Sequence, residues 1–496
     1  MVVKKIIGIE TEYGIHTNGD LKDNPISASS VIVNSYVNEV LNDKTKWDFD
    51  DETPQNDARG YVTKGSVAPV VETHLVNAVL YNGARFYVDH AHPEYSSPEV
   101  ADALEGVIWD KAGELVLKHS MQIVRENIGH DIVIYKNNSD GKGNSYGCHE
   151  NYLMDRGLPF PKLVHDLVPF LISRQIYCGA GKVGIEVPSK KDEEVYFQIS
   201  QRADFFEEVV GLETTLKRPI INTRDEPHAS SEIYRRLHVI LGDANISETA
   251  TFLKLGTTAF VLLLIETGNV PKLDRMPLNP VAALHQISHD ISLESKIELN
   301  DGSHIKAIEI QEEWLLLADN YFHKYGGELL GGDEVAKLIL STWERVLGLL
   351  KSDLLSLRYE IDWIAKFNLV DAYREKNQLS SNSPTLKALD LQYHDLRDDK
   401  SLASRLKLKT LVTRDQIESA VYNPPESTRA YFRGQCIKKW SKSIVSANWD
   451  SIVFDVGEEP LRRVPMMDPL KGNKTIVGNL LSKCHEVTDL LDKLDT

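Results

Sequence analysis

The sequence predicts an α+β protein in which short strands ending in ionisable residues combine with long helical stretches. Three observations carry that reading. Gly83–Glu99 opens with Phe86, Tyr87 and Val88 and turns abruptly to Asp89, His90, His92 and Glu94. Lys5–Ile15 and Arg235–Asn245 likewise join apolar strand residues to charged ones. Helical spacing fills Ala28–Leu41, Glu99–Asn127, Val164–Ile176, Phe252–Glu266 and most of Ile308–Glu375.

At 496 residues the chain is long enough for a large core and more than one domain. Its 42% hydrophobic and 26% charged content is that of an ordinary soluble globular protein. A formal net charge of −17 excludes a nucleic-acid binder, which needs a basic footprint, but leaves room for an anionic ligand in a local basic pocket. Cys148, Cys178, Cys436 and Cys484 are scattered and form no CxxC pair, which suits a reducing cytosol rather than a disulfide framework or zinc ribbon. The N-terminus enters a strand with no signal-peptide core. The longest apolar run, Ala259–Ile265, is far short of the ~20 residues of a membrane span. A cytoplasmic protein without a membrane segment is expected.

In chain order, Lys5–Ile15 is read as a strand. Glu10 and Glu12, two apart, share a face with Gly8 and Gly14, while Ile7, Ile9, Thr11 and Tyr13 take the other. Two adjacent carboxylates repel unless a cation lies between them. They are therefore either a solvated edge with salt bridges or hard oxygen ligands for a divalent metal such as Mg²⁺. Lys44–Val71 is acidic and aperiodic, with Pro54, Gly60, Gly65 and Pro69, and reads as a functional or disordered loop.

In Gly83–Glu99, alternation puts Arg85, Tyr87 and Asp89 on one face, and Pro93 and Pro98 are expected to break the ladder into a turn carrying Glu94, Ser96, Ser97 and Glu99. Burying unpaired ionisable groups is costly, so this strand end should face solvent or a charged ligand. Ile132–Tyr135 is a short strand leading into a loop with Gly141, Gly143 and Gly147, which fits no Walker or dinucleotide fingerprint and ends on His149-Glu150-Asn151. Lys182–Val187, Glu194–Ser200 and Arg218–Pro227 read as strands. The Arg235–Asn245 segment carries Arg236 and His238 on one face. Lys296–Lys306 is a hairpin with an Asp301-Gly302 turn, and Thr410–Ala420 a helix. Asn423-Pro424-Pro425 then marks a break, giving domains at 1–420 and 421–496. The smaller one holds Arg429, Arg433, Lys438, Lys439, Lys442, Arg462 and Arg463, which are either solvated or a docking face for an anionic partner.

Three long motifs carry a resemblance: Ile7-Gly-Ile-Glu-Thr-Glu-Tyr-Gly-Ile15, Thr428-Arg-Ala-Tyr-Phe-Arg-Gly434 and Trp449-Asp-Ser-Ile-Val-Phe-Asp455. The chain resembles the glutamine synthetase-like carboxylate–amine ligases and, within them, the enzymes that handle Pup, a small ubiquitin-like modifier. Tyr87-Val-Asp-His-Ala-His-Pro-Glu-Tyr95, with Trp47-Asp48 and Asp57-Ala-Arg-Gly60 in the long loop, is similar to the deamidase/depupylase branch rather than the ligase branch. The resemblance implies a curved antiparallel sheet packed with helices, a small C-terminal domain, and ATP and Mg²⁺ as cofactors. It implies Asp89 as the catalytic carboxylate, and Glu10, Tyr87, Glu94, His149 and His238 as the metal environment. Ser96, Ser97, Arg236 and Trp449 would contact nucleotide, with Arg85 a further candidate. The implied activity is deamidation of the C-terminal Gln of Pup and cleavage of the Pup–lysine isopeptide bond, so the partners are Pup and pupylated proteins. The rivals are a Pup ligase using the same site, a zinc hydrolase built on His90 and His92, and an inactive Pup-binding scaffold.

Overall fold

The computed structural model describes residues 2–17, 24–41, 44–49, 52–60, 76–186, 195–457 and 460–494. The architecture is α+β, as expected. A ten-stranded sheet runs in the order Tyr234–Val239, Cys148–Asp155, Ile7–Glu12, His92–Ser96, Arg85–Asp89, Asn77–Val79, Lys46–Trp47, Ile444–Ala447, Ser451–Phe454 and Arg462–Pro465. Its pairings are antiparallel except where Ile444–Ala447 lies parallel to Lys46–Trp47.

One face of the sheet is sealed by helices. Pro25–Val40 starts on the Asn24 side chain, which accepts from Ser27 N, and Ala103–Asn127 starts on Asp102, which accepts from Leu104 N and Glu105 N. These caps satisfy N–H groups that have no partner within the helix. Ile7, Phe86, Val88, Tyr95, Tyr152, Leu237 and Val239 belong to the resulting core. Glu248–Thr267 has the length and hydropathy of a membrane span, but that stretch is wholly buried within the protein. It is the central core helix.

Several expectations need correcting. Lys5–Ile15 divides into Ile7–Glu12 and Gly14–Thr17, which pairs separately with Ile132–Tyr135. The break at Pro93 does not occur, because His92–Ser96 is a strand paired on both sides. Proline lacks an N–H, but its missing donor falls beside Tyr13, where the N-terminal strand has already ended. Tyr13 N still donates to the Pro93 carbonyl at 3.0 Å. The turn is instead His90-Ala91, with His90 held at a φ of 51°, a left-handed conformation that is strained for a residue with a Cβ.

The Lys44–Val71 stretch is not wholly irregular, because Lys46–Trp47 is a strand and positions 52–60 lie against 223–226. Ala58 N donates to Thr223 O and Asp225 N to Asn56 O, both at 2.8 Å. Positions 50, 51 and 61–71 of that stretch lie outside the described residues. The two strands expected around 182–200 shorten to the paired Lys182–Val183 and Phe197–Gln198, with 187–194 outside the described residues. The strand at Arg218–Pro227 ends at Asn222. Ile308–Glu375 divides into Ala307–Tyr325, Asp333–Ser352 and Asp362–Lys376, the first break falling where Gly326, Gly331 and Gly332 take positive φ.

The C-terminal segment has a core of its own around Trp47, Phe432, Ile437, Trp440 and Phe454, although its strands extend the main sheet. Its basic island is not a free docking face at two of its positions. Arg429 Nε lies 2.7 Å from Glu99, and Arg433 pairs with the same carboxylate. Arg433 Nε also donates to the Gly83 carbonyl at 3.1 Å. Glu99 is pulled down to about 2: burial opposes this, but the two guanidiniums outweigh it. The clamp fastens the C-terminal segment to the end of the His92–Ser96 strand.

Candidate active site

The face of the sheet opposite the helices is where alternation and register gather the chemistry. Glu10 lies opposite His149 on one neighbouring strand and Ser96 on the other, and Ser96 lies opposite Arg85. Two residues on, Glu12 lies opposite Glu94, and Glu94 opposite Tyr87. Asp89 ends its strand opposite His92, and on the far side His238 lies opposite Asn151. Because side chains alternate along every strand, these residues all project to one side.

They form two clusters. The ligand atoms of Glu10, His149 and His238 lie within 4.8 Å of one another, and so do those of Glu12, Asp89 and Glu94. His149 Nδ1 is 3.5 Å from Glu10 Oε2, and the His149 and His238 rings meet edge to face at 5.0 Å. Burial pushes Glu10 up, but the hydrogen bond from His149 and the charges of His238, His149 and Arg236 outweigh it and hold Glu10 well below the usual carboxylate range. In the second cluster the balance reverses. Burial and the neighbouring carboxylates push Glu94 well above its ordinary value, and burial and Asp89 raise Glu12. Asp89, half-exposed at the turn, is held low because His90, 3.0 Å away, with Arg85 and His149 outweighs the effect of burial.

The donor sets fit divalent cations. An all-oxygen trio suits a hard ion such as Mg²⁺, and a carboxylate with two imidazoles suits a wider range of divalent metals. His238 Nε2 supports this, since it is buried with no hydrogen-bond partner. Gly147 makes room for the site: a Cβ there would lie 2.3 Å from His149 Nε2 and 2.7 Å from Glu12 Oε1.

Beside the first cluster is a cavity lined by Gly8, Glu10, Ser96, Ser97, Asn151, His228, Arg236, Arg429 and Trp449, with Ile6, Leu153 and Pro469 supplying apolar wall. It shares Pro227 and His228 with a cleft of about 870 Å³ that is also lined by Asn56, Asp57, Asp225 and Arg463. The structure therefore brings Glu10, Ser96, Ser97, Arg236 and Trp449 around one cavity, with His149 and His238 adjoining Glu10. Arg85 is not part of that lining. Its guanidinium is sandwiched between Trp47 at 4.1 Å and Tyr87 at 3.9 Å, and its Nε donates to Asn77. The Tyr87 hydroxyl is 3.5 Å from Ser96 Oγ and, pushed well above its ordinary value mainly by burial, stays protonated.

Three residues enter the site that the ligand assignment left out. Glu12 belongs to the Asp89 cluster, and its period-two spacing from Glu10 signalled it. Asn151 lies two residues from His149 on the same face, the same kind of signal. His228 stands at the polar tip that follows Arg218–Pro227, the signal that could have found it; it has a φ of 48° and lines both the cavity and the cleft. His90 and His92 do not make a zinc site. Among the described residues neither joins a metal-capable cluster, and His90 is turned onto Asp89.

Carboxylates, imidazoles and an arginine gathered from five strands onto one face beside a cavity define an enzyme rather than a passive scaffold. The chain belongs to the Pup-ligase protein family, whose model matches residues 5–453. It is 46% identical to a depupylase from Acidothermus cellulolyticus, over 99% of both chains. It is 45% identical to a Pup deamidase/depupylase from Mycobacterium tuberculosis, again over 99% of each. Among solved structures it is similar to the Pup ligase PafA in complex with Pup, with a TM-score of 0.80, 31% identity and coverage of 99% of this chain and 95% of that one. It also resembles PafA in complex with ADP, with a TM-score of 0.74, 35% identity and coverage of 82% and 89%.

Proposed function

We propose that this chain is a hydrolase of amide bonds in the Pup pathway, converting the C-terminal glutamine of Pup to glutamate and cleaving the isopeptide bond between Pup and a substrate lysine. The observation that carries the reading is Asp89, a charged carboxylate at a strained turn beside Glu12 and Glu94. The relatives named for deamidation or depupylation match at 45–46% over the full length, against 31% and 35% for the ligase structures. Pup and pupylated proteins are then the partners. The four buried, unbridged thiols support a cytoplasmic location.

Both reactions hydrolyse a side-chain amide. The C–N bond breaks, water supplies oxygen to the carbonyl carbon, and the nitrogen leaves as ammonia or as the lysine amine. Asp89 is available in its charged form either to attack the carbonyl carbon, giving an anhydride that water opens, or to take a proton from the attacking water. Glu12 and Glu94 would hold Mg²⁺ beside it, and Glu10, His149 and His238 a second divalent ion, with Tyr87 donating a hydrogen bond nearby. Arg236, Ser96, Ser97 and Trp449 would hold ATP, with Arg85 acting through Tyr87. A bound Mg²⁺ supplies Lewis acidity and offsets the repulsion among the carboxylates.

The test is incubation with Pup ending in glutamine, Mg²⁺, nucleotide and a lysine-bearing protein. Ammonia release without attachment of Pup to lysine is the expected result. Attachment to lysine of Pup ending in glutamate, tested alongside, with no ammonia released from the glutamine form, would make the chain a ligase and overturn the reading.

A further inference from the structure

Asn151 makes three side-chain hydrogen bonds within the site. Its Nδ2 donates to Glu10 Oε1 at 2.8 Å. Its Oδ1 accepts from Arg236 Nη1 and lies against His238 Nδ1, each at 2.9 Å. Reversing the amide would set its oxygen against the Glu10 carboxylate and its NH₂ against a guanidinium N–H, so the network admits one orientation. An amide oxygen only accepts, which places the His238 proton on Nδ1 and leaves the lone pair on Nε2, the buried atom with no partner. Arg236 is held at its other end by Nε donating to the Glu226 carbonyl at 2.7 Å.

We propose that Asn151 is a positioning residue that orients Glu10 and fixes the tautomer of His238 for a divalent cation, and ties that geometry to Arg236. A single amide thereby links the metal-capable cluster to the guanidinium lining the cavity. The inference rests on the nucleotide-and-metal reading above, and metal binding tests it separately from turnover.

The measurement is Mn²⁺ affinity in the presence of ADP, followed by electron paramagnetic resonance, for the wild type, Asn151→Ala, Arg236→Lys and the two combined. Loss of a group that orients metal ligands weakens affinity by about 10–100-fold, and that loss is expected for Asn151→Ala. The Arg236→Lys change should then cost less in the Asn151→Ala background than alone, because the two side chains act through one network. Circular dichroism and the thermal midpoint check the fold; if the alanine variant does not fold, Asn151→Ser is judged by the same criteria. A folded variant whose Mn²⁺ affinity stays within about twofold of wild type overturns the positioning role. A wild type that binds no Mn²⁺ with ADP strikes instead at the nucleotide-and-metal reading.

Discussion

Glu10 and Glu12 stand two residues apart on the same face of the same strand, yet their surroundings drive them in opposite directions. Glu10 is met by two imidazoles, an arginine and an amide and is held charged. Glu12 is met by Asp89 and Glu94, and burial with carboxylate crowding raises it despite His149 and Arg202. The charge of Glu10 is matched by its neighbours, whereas the repulsion in the second cluster calls for a cation to offset it. Sequence spacing sets which way a side chain points, and the strands paired alongside set its charge.

A third buried carboxylate extends the comparison and gives the largest expected effect. Glu99 is neutralised by Arg429 and Arg433. Removing one guanidinium leaves the charge underpaired, so Arg433→Ala should cost about 3–5 kcal/mol, read from the urea midpoint. The same clamp predicts a pH dependence. Glu99 is lowered in the folded state to about 2, so its contribution is fully present above the ordinary carboxylate value and is lost as pH falls towards 2. At neutral pH this amounts to about 3 kcal/mol, and the acid limb of a stability–pH curve should be shallower in Glu99→Gln.

Next come the two clusters themselves. Without added metal, Glu10→Gln should lower stability by about 1–2 kcal/mol, since His149, Arg236 and Asn151 lose a charged partner. Glu94→Gln should have the opposite sign, raising the thermal midpoint without metal by relieving carboxylate crowding while reducing the stabilisation that added Mg²⁺ provides. Equal signs for the two variants in differential scanning calorimetry would contradict the comparison. The smallest effect is expected from Trp47→Leu, which removes one ring from the Arg85 sandwich and should cost about 1 kcal/mol or less beyond the lost packing, measured in a double-mutant cycle with Arg85→Ala.

Local alternation was legible in the sequence. Glu10 with Glu12, Arg85 with Tyr87 and Asp89, and Arg236 with His238 share faces as their spacing requires. The pairing that sets His149 opposite Glu10 and His238 opposite Asn151 was not, because it joins strands far apart in the chain and no local signal fixes their register. Pro93 misled for a related reason: a proline is tolerated where the neighbouring strand stops, and the neighbour's end is a tertiary fact. The Lys46–Trp47 strand was hidden because two strand residues carry no periodicity. Arg429 and Arg433 read as surface charge because their partner, Glu99, lies more than three hundred residues away.

The central claim is that Asp89 performs the chemistry on Pup. The most direct measurement is mass spectrometry of Pup ending in glutamine after incubation with wild-type and Asp89→Asn protein, Mg²⁺ and nucleotide. The account predicts conversion of the glutamine to glutamate by the wild type and none by the variant, because an amide can serve neither as the nucleophile nor as the base. Conversion at the wild-type rate by Asp89→Asn would contradict it.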